Sequence, residues 1–150
     1  MARAIQLSLE NVRSACGGPF GAVVVKNGQI VAEGVNQVTS RNDPTAHAEI
    51  LAIRQACANL GVFELRDCDL YSSCEPCPMC LGAIYWSRLA RVYYANTASD
   101  AAKIGFDDSF IYGELNVPHA QRCIPAIQIM REEALAAFRA WTEKPDKIRY

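Results

Sequence analysis

The 150-residue sequence lacks the features that mark membrane, secreted or multidomain proteins. No apolar run approaches the roughly 18 residues that a membrane span requires. The amphipathic opening, Met1 to Ala15, has charged residues where a secretory signal has a continuous apolar region. Internal repeats, low-complexity tracts and linker-like runs of Gly, Ser and Pro are also missing. These absences predict one globular domain over residues 1–150, located in the cytoplasm and without contact to a membrane.

The sequence also has no excess of basic charge. Lys and Arg total 15, Asp and Glu total 16, and the net charge is −1. Proteins that bind nucleic acid usually carry a clustered basic surface, so no nucleic-acid partner is expected. A site for a small molecule is the preferred interpretation.

Cysteine, in contrast, is plentiful, with seven residues. This is an odd number, and Cys74, Cys77 and Cys80 lie too close together for a disulfide framework in a chain of this size. Metal or redox chemistry is therefore the better interpretation of these thiols.

Two β-rich runs near the N-terminus, Gly21 to Val25 and Gln29 to Val35, flank an Asn-Gly pair. Such a pair between strands is a strong signal for a type I′ turn, so an antiparallel hairpin is predicted. A polar loop, Val38 to Thr45, is predicted after the hairpin. Apolar residues at helical spacing then predict a helix that ends near Gly61.

The rest of the sequence alternates predicted helices with short β-rich runs. Strands are predicted at Asp69 to Ser73, Arg91 to Ala95 and Ile124 to Met130, and helices at Pro78 to Arg88, Ser99 to Ile104 and Glu132 to Trp141. This alternation predicts an α/β layered sheet, with right-handed crossovers wherever neighbouring strands are parallel.

Two short motifs lie where predicted helices begin. His47-Ala48-Glu49 opens one helix, and Pro76-Cys77-Pro78-Met79-Cys80 opens the next. Cys77 and Cys80 share one face of a helical turn, where both thiolates can reach one ion. Together with His47 they make three metal ligands and leave an open position, which is the arrangement of catalytic zinc.

Glu49 supplies the carboxylate that such a site needs. Two thiolates cancel the charge of a zinc ion and weaken it as a Lewis acid, so a nearby base that accepts a proton from water becomes more important. The positive ends of the two helix dipoles would lower the thiol pKa values. The combination of His-x-Glu and Pro-Cys-x-x-Cys is the signature of zinc-dependent deaminases.

Three other interpretations of these residues remain open. Cys77 and Cys80 can be small core residues, with His47 an ordinary helix-terminal histidine. The Cys-x-x-Cys-x-x-Cys spacing from Cys74 also suits an iron-sulfur site, although no further cysteine lies at the adjacent spacing. A structural zinc module would take a fourth ligand, such as Cys74, and would leave Glu49 without a role.

Four longer motifs extend these patterns along the chain. They are Gly17-Gly-Pro-Phe-Gly-Ala-Val, Asn42-Asp-Pro-Thr-Ala-His-Ala-Glu, Cys74-Glu-Pro-Cys-Pro-Met-Cys-Leu-Gly-Ala-Ile-Tyr-Trp and Gly105-Phe-Asp-Asp-Ser-Phe-Ile-Tyr. On these motifs the chain resembles the cytidine deaminase-like superfamily, and within it the bacterial guanine deaminases, from Gly17 to Tyr150. The resemblance implies a three-layer α/β/α sandwich with a central mixed five-stranded sheet.

The same resemblance implies one Zn²⁺ per chain. Its ligands would be His47, Cys77 and Cys80. Glu49 would then be the proton shuttle, and Cys74 would not be a ligand.

The resemblance also implies a substrate pocket lined by Phe20, Asn36, Ala48, Asp108 and Tyr150. Phe20 would form a wall, Asn36 would hold the substrate, and Asp108 would be a catalytic carboxylate near it. Tyr150 would enter the partner's site in a homodimer, with the segment from about residue 115 to the C-terminus swapped between subunits. From the residues alone, a core ring, a turn cap, a surface acid pair and a frayed tail are the ordinary alternatives.

The activity implied by the resemblance is hydrolytic deamination of guanine to xanthine and ammonia. Guanosine is an alternative substrate, because plant guanosine deaminases share the Gly-Phe-Asp-Asp motif. Deaminases of tRNA adenosine and of cytosine or cytidine are weaker alternatives. The segment after the fourth predicted strand is acidic and offers no basic surface for an anticodon loop.

Overall fold

A computed structural model describes residues 1–150, which form two units, Met1–Ser109 and Phe110–Tyr150. The first unit contains α1 (Ala2–Arg13), β1 (Gly21–Lys26), β2 (Gln29–Val35), α2 (Val38–Arg41), α3 (Ala48–Leu60), β3 (Cys68–Cys74), α4 (Pro78–Trp86), β4 (Arg91–Asn96) and α5 (Ala98–Lys103). Helix α6 (Ser109–Asn116) begins at the end of that unit, and a 3₁₀ turn (His119–Gln121) and α7 (Arg131–Glu143) follow in the second. None of the helices has the length and apolar character needed to cross a membrane.

The sheet of the first unit is mixed, with strand order β2-β1-β3-β4. Strands β1 and β2 form the predicted hairpin, and Asn27 and Gly28 both have positive φ, as a type I′ turn requires. Strand β3 runs antiparallel to β1 and parallel to β4. A parallel pair needs a crossover connection, and α4 supplies it.

Two sequence-based predictions about the elements were wrong. The sheet has four strands rather than five, because Ile124 to Met130 forms no strand. A strand exists only where its backbone groups pair with a neighbour; the second unit contains no strand to pair with, and Pro125 has no N–H to donate. The segment Val38 to Thr45, predicted as a loop, includes the one-turn helix α2.

Helices cover both faces of the sheet in the first unit. Alternate residues of β1 face opposite sides, so Val23 packs with Ala4 and Leu7 of α1, while Ala22 and Val24 belong to the larger core on the other face. That larger core includes residues from β2, α3, β3 and α4: Ala32, Ala48, Ala52, Ile53, Ala56, Leu70 and Ile84. The unit is therefore a three-layer α/β/α arrangement.

Helix α3 packs against β2 at a glycine. A Cβ atom at Gly34 would lie 2.2 Å from the backbone oxygen of Ala48. Atoms this close overlap, so only glycine lets α3 begin at this depth above the sheet. The contact fixes the position of the first turn of α3.

The strand ends next to this turn meet at one end of the sheet. Gly21 at the start of β1 pairs with Val35 at the end of β2, and Cys74 at the end of β3 pairs with Asn96 at the end of β4. Loops that leave this end therefore converge in space.

Candidate active site

The two motifs that the sequence predicts as metal ligands lie at the first turns of α3 and α4. His47 and Cys77 are the residues immediately before these helices, both in extended conformation, and Pro78 occupies the first turn of α4. Pro is suited to that position because the first N–H groups of a helix have no partner within it. The predicted placement of both motifs at helix N-termini is confirmed.

Three donor atoms converge between these helices. The His47 Nδ1 atom lies 3.5 Å from Cys77 Sγ and 3.5 Å from Cys80 Sγ. All three donor atoms lie within 4.8 Å of one another. Tetrahedral zinc with ordinary Zn–N and Zn–S bond lengths requires nitrogen and sulfur ligands to be about 3.5 Å apart. The donor set therefore fits one Zn²⁺, with His47 coordinating through Nδ1.

The electrostatics of the donor set favour a cation. Hydrogen bonds from the Cys80 thiol and from His47 lower the pKa of Cys77 to about 4. The pKa of Cys80 is raised, first because its thiol donates to Cys77 and then because it is buried. Two adjacent thiolates would carry like charges, which a bound dication would offset.

Glu49 lies beside the donor set, with only 5% of its surface exposed. Its Oε2 atom lies 3.5 Å from Cys80 Sγ, and its Oε1 atom accepts a hydrogen bond of 3.0 Å from the Ser72 hydroxyl. Burial raises the pKa of Glu49, and the Ser72 hydrogen bond opposes this shift. A buried carboxyl with a raised pKa is suited to accept a proton and to return it.

Cys74 is not part of the donor set. It is buried at the end of β3, where its thiol donates to the backbone oxygen of Thr97, and burial raises its pKa to about 11. An iron-sulfur cluster or a closed structural zinc site would need a fourth ligand. The structure brings only His47, Cys77 and Cys80 together.

Asn36 and Phe20 lie on adjacent loops at the same end of the sheet. The backbone N–H of Asn36 donates to the Phe20 carbonyl at 3.0 Å. The Oδ1 atom of Asn36 accepts hydrogen bonds from the backbone N–H groups of Gly18, at 3.2 Å, and Val38, at 3.3 Å. The side-chain oxygen is therefore occupied, which leaves the Nδ2 group to face a ligand.

The half-buried ring of Phe20 contacts Phe106 edge-to-face, with ring centroids 4.9 Å apart. Phe106 precedes the acidic pair Asp107 and Asp108. Burial and the negative charge of Cys77 raise the pKa of Asp108. Asp108 is half-buried, whereas Asp107 is exposed and accepts a hydrogen bond from the N–H of Ser109.

The other two predicted site residues, Ala48 and Tyr150, differ in burial and in position. The side chain of Ala48 is fully buried in the core, so only its backbone in the first turn of α3 can face a ligand. Tyr150 lies in the second unit, with 71% of its surface exposed. Its role in a partner's site stays a prediction.

Residues 1–96 match the family of the cytidine and deoxycytidylate deaminase zinc-binding region. The chain belongs to that family. It is 57% identical over 148 residues to guanine deaminase of Bacillus subtilis, covering 99% of this chain and 95% of that protein. An X-ray structure of guanine deaminase from Bacillus subtilis gives a TM-score of 0.96 at 56% identity, covering 99% of this chain and 95% of that one. The tRNA-specific adenosine deaminase of Aquifex aeolicus is 46% identical over 77 residues, or 51% of each chain.

Membership in this deaminase family confirms the predicted cofactor. The matched region contains all three donors, and their geometry fits zinc. The family assignment and the three-ligand geometry together favour the open zinc site over the alternatives that the sequence left open.

Sequence reasoning missed two residues of this site, Ser72 and Phe106. Alternation along β3 contained the signal for the first, since Ser72 is two residues after the core residue Leu70 and so points to the same face as α3. Phe106 lies inside a quoted motif, but no spacing rule predicts its contact with Phe20, because the two residues are far apart in the sequence.

Proposed function

We propose that the chain is a zinc-dependent guanine deaminase, which converts guanine and water to xanthine and ammonia. The observation that carries the proposal is the buried Glu49 carboxyl beside a three-donor metal site. The similarity to guanine deaminase of Bacillus subtilis over 99% of the chain supports guanine as the substrate.

Zinc, Glu49 and Ser72 have different roles in the proposed reaction. Zinc, when bound, lowers the pKa of water and so supplies a nucleophile near neutral pH. Glu49 accepts one proton from the attacking water and gives it to a ring nitrogen as the C–O bond forms. It then takes the remaining hydroxyl proton and gives it to the departing amine as the C–N bond breaks. Ser72 holds Glu49 Oε1, which leaves Oε2 on the side of the donor set.

The loops at the end of the sheet support binding of a flat purine. Asn36 presents an N–H donor, since its oxygen is occupied by backbone groups. Asp108 presents an acceptor, which distinguishes an amino group from the oxo group of the product. The paired rings of Phe20 and Phe106 supply apolar surface for an aromatic base.

The substrate is tested by measuring ammonia release from guanine, guanosine, adenine, cytosine and cytidine in parallel. Guanine is expected to give the highest kcat/KM. Preference for guanosine would move the assignment to nucleoside deamination, and preference for adenine or a pyrimidine would overturn it.

Replacing Asp108 by Asn is expected to lower kcat/KM for guanine by about 10²-fold, the scale of a positioned proton-transfer group, with fold and zinc retained. The amide lacks the second acceptor oxygen and cannot carry the proton. The neighbouring substitution Asp107→Asn is the matched control, because that side chain is exposed and Asn keeps the oxygen that accepts from Ser109. Equal rates in the two variants would place Asp108 outside the reaction.

We also propose that the chain acts as a homodimer whose subunits exchange the segment from about residue 115 to the C-terminus, so that residues 1–150 serve as a single catalytic domain. Large apolar side chains of the second unit are exposed: Ile124, Ile127, Ile129, Met130, Phe138 and Ile148. Monomeric proteins rarely leave so many large apolar side chains of one segment exposed. A partner subunit that covers these side chains would remove the unfavourable free energy of exposing them to water.

The first unit has apolar surface of its own that supports the same dimer. Tyr85 and Trp86 in α4 are 75% and 69% exposed, and Tyr94 on the edge strand β4 is 49% exposed. An open edge strand with exposed rings is a surface that proteins usually cover. We infer that the second unit of the partner covers it and brings the partner's Tyr150 to the substrate.

Mixed dimers test the exchange. One chain carries Glu49→Ala with its tail intact, and the other lacks the residues after Lys144, which leaves α7 complete. Neither chain alone is expected to be active. Co-expression is expected to restore roughly a quarter of wild-type activity, because random pairing gives half mixed dimers with one complete site of two. Full activity of the shortened chain, or no recovery in verified mixed dimers, would contradict the exchange.

A cytoplasmic location completes the proposal. All seven cysteines are unpaired, and Cys77 and Cys80 must stay reduced to bind zinc. Thiols persist in the reducing cytoplasm, whereas oxidising compartments convert neighbouring thiols to disulfides.

A further inference from the structure

We propose that Asn11 is a positioning residue that fixes Asn36 as a hydrogen-bond donor, and that it thereby sets the preference for a purine with an acceptor at the edge opposite the C2 amino group. The inference rests on the proposed function, since it concerns how the same site selects guanine. Asn11 belongs to α1 and to none of the motifs that predict the site.

Asn11 is buried, with 3% of its surface exposed, and both protons of its amide group are used. Its Nδ2 atom donates to the Gly18 carbonyl at 2.7 Å and to the Asn36 carbonyl at 2.9 Å. One side chain thus ties the loop before β1 to the loop after β2.

The two loops are also held together through Asn36 itself. Its Oδ1 accepts from the N–H of Gly18 in one loop and from the N–H of Val38 in its own. These two donors identify Oδ1, and they prevent the amide from turning to present oxygen to a ligand. The Nδ2 group is therefore the part of the Asn36 amide that is left to bond a ligand.

The backbone at Gly17 and Gly18 packs tightly against Asn36 and the neighbouring rings. A Cβ atom at Gly17 would lie 2.2 Å from the Asn36 backbone oxygen and 2.9 Å from Asn36 Oδ1. A Cβ atom at Gly18 would lie 3.2 Å from the rings of Phe20 and Phe106. Movement of the Gly17–Gly18 backbone would therefore shift both the amide that faces the substrate and the ring beside it.

The hydrogen bonds of Asn11 and Asn36 to the two loops form a lock on the Asn36 amide, and this lock affects which purines bind. Guanine has acceptors at O6 and N7, on the edge opposite its C2 amino group. In 2,6-diaminopurine an amino donor replaces the C6 carbonyl and N7 is the acceptor that remains, so a donor-only Asn36 has one partner fewer on that edge. Without Asn11 the amide is free to turn, and the penalty against the diaminopurine would fall.

The test compares Asn11→Ala with Asn59→Ala. Asn59 is the control because its Nδ2 also joins a helix to a backbone carbonyl, that of Val31 in β2, away from the site. In Asn11→Ala the KM for guanine is expected to rise about tenfold while the inhibition constant of 2,6-diaminopurine stays level or falls. The zinc content and the pH dependence of kcat are expected to stay unchanged, because Asn11 does not touch Glu49.

Hydrogen exchange tests the lock without any substrate. In Asn11→Ala the N–H groups of Gly18 and Val38 are expected to exchange about tenfold faster, while Val24 in β1 stays protected. Unchanged exchange at Gly18 and Val38 would overturn the lock. Equal loss of affinity for guanine and 2,6-diaminopurine, or the same selectivity change in Asn59→Ala, would overturn its role in specificity. A wild-type chain that is inactive on guanine would overturn the proposed function. The hydrogen-exchange result would still show whether Asn11 holds the two loops together.

Discussion

Glu49→Gln is expected to lower guanine deamination by about 10⁴-fold, the upper range for a group that transfers protons, while the chain keeps one zinc ion. Gln has the size of Glu and can still accept from Ser72, so the packing around the site should survive. It cannot accept and return a proton. The measurement is single-turnover deamination together with elemental analysis of the same preparation.

Glu64→Gln is the control for this substitution. Glu64 pairs with Arg66 and Arg88 near the surface, and the change should leave the rate close to wild type. Loss of zinc in Glu49→Gln would assign Glu49 to metal binding, and a rate near that of the control would remove it from the mechanism.

The largest effect on the metal is expected from the three donors. His47→Ala, Cys77→Ala and Cys80→Ala should each lose the zinc ion or bind it far more weakly, and activity should fall below detection. An open site has only three protein ligands, so the loss of one leaves two. Zinc content by elemental analysis and the activity after zinc is added back are the measurements.

Cys74→Ala is the matched control, since it removes a buried thiol of the same segment without removing a donor. It should keep its zinc. Zinc loss in this variant, or iron with acid-labile sulfide in the wild-type protein, would show that the site has been assigned to the wrong metal or the wrong ligands.

Local rules predicted the parts of the molecule that depend on neighbours in sequence. The Asn27-Gly28 turn and the helix starts at His47 and Cys77 follow from backbone preferences and from spacing within one helical turn. The metal donors belonged to this class, because two of them share one turn of α4. The spacing of His, Glu, Pro and Cys in the two short motifs was enough to predict a zinc site.

Features that depend on distant partners were not predictable in this way. A fifth strand was expected at Ile124 to Met130 because its residues favour β structure, but a strand also needs a neighbour to pair with. The orientation of Asn36 depends on backbone groups of Gly18, and the environment of Glu49 depends on Ser72, 23 residues away. Composition and spacing do not indicate which distant groups make these contacts.

The metal site also has a consequence for folding. Its donors come from two helices that are separated in the sequence by β3, so a bound zinc ion joins His47 to Cys80 across 33 residues. Because the unfolded chain does not hold the three donors together, the binding free energy of the ion becomes free energy of folding. A bound ion is thus also a cross-link between the two helices, and its removal is expected to lower the free energy of unfolding of the catalytic unit.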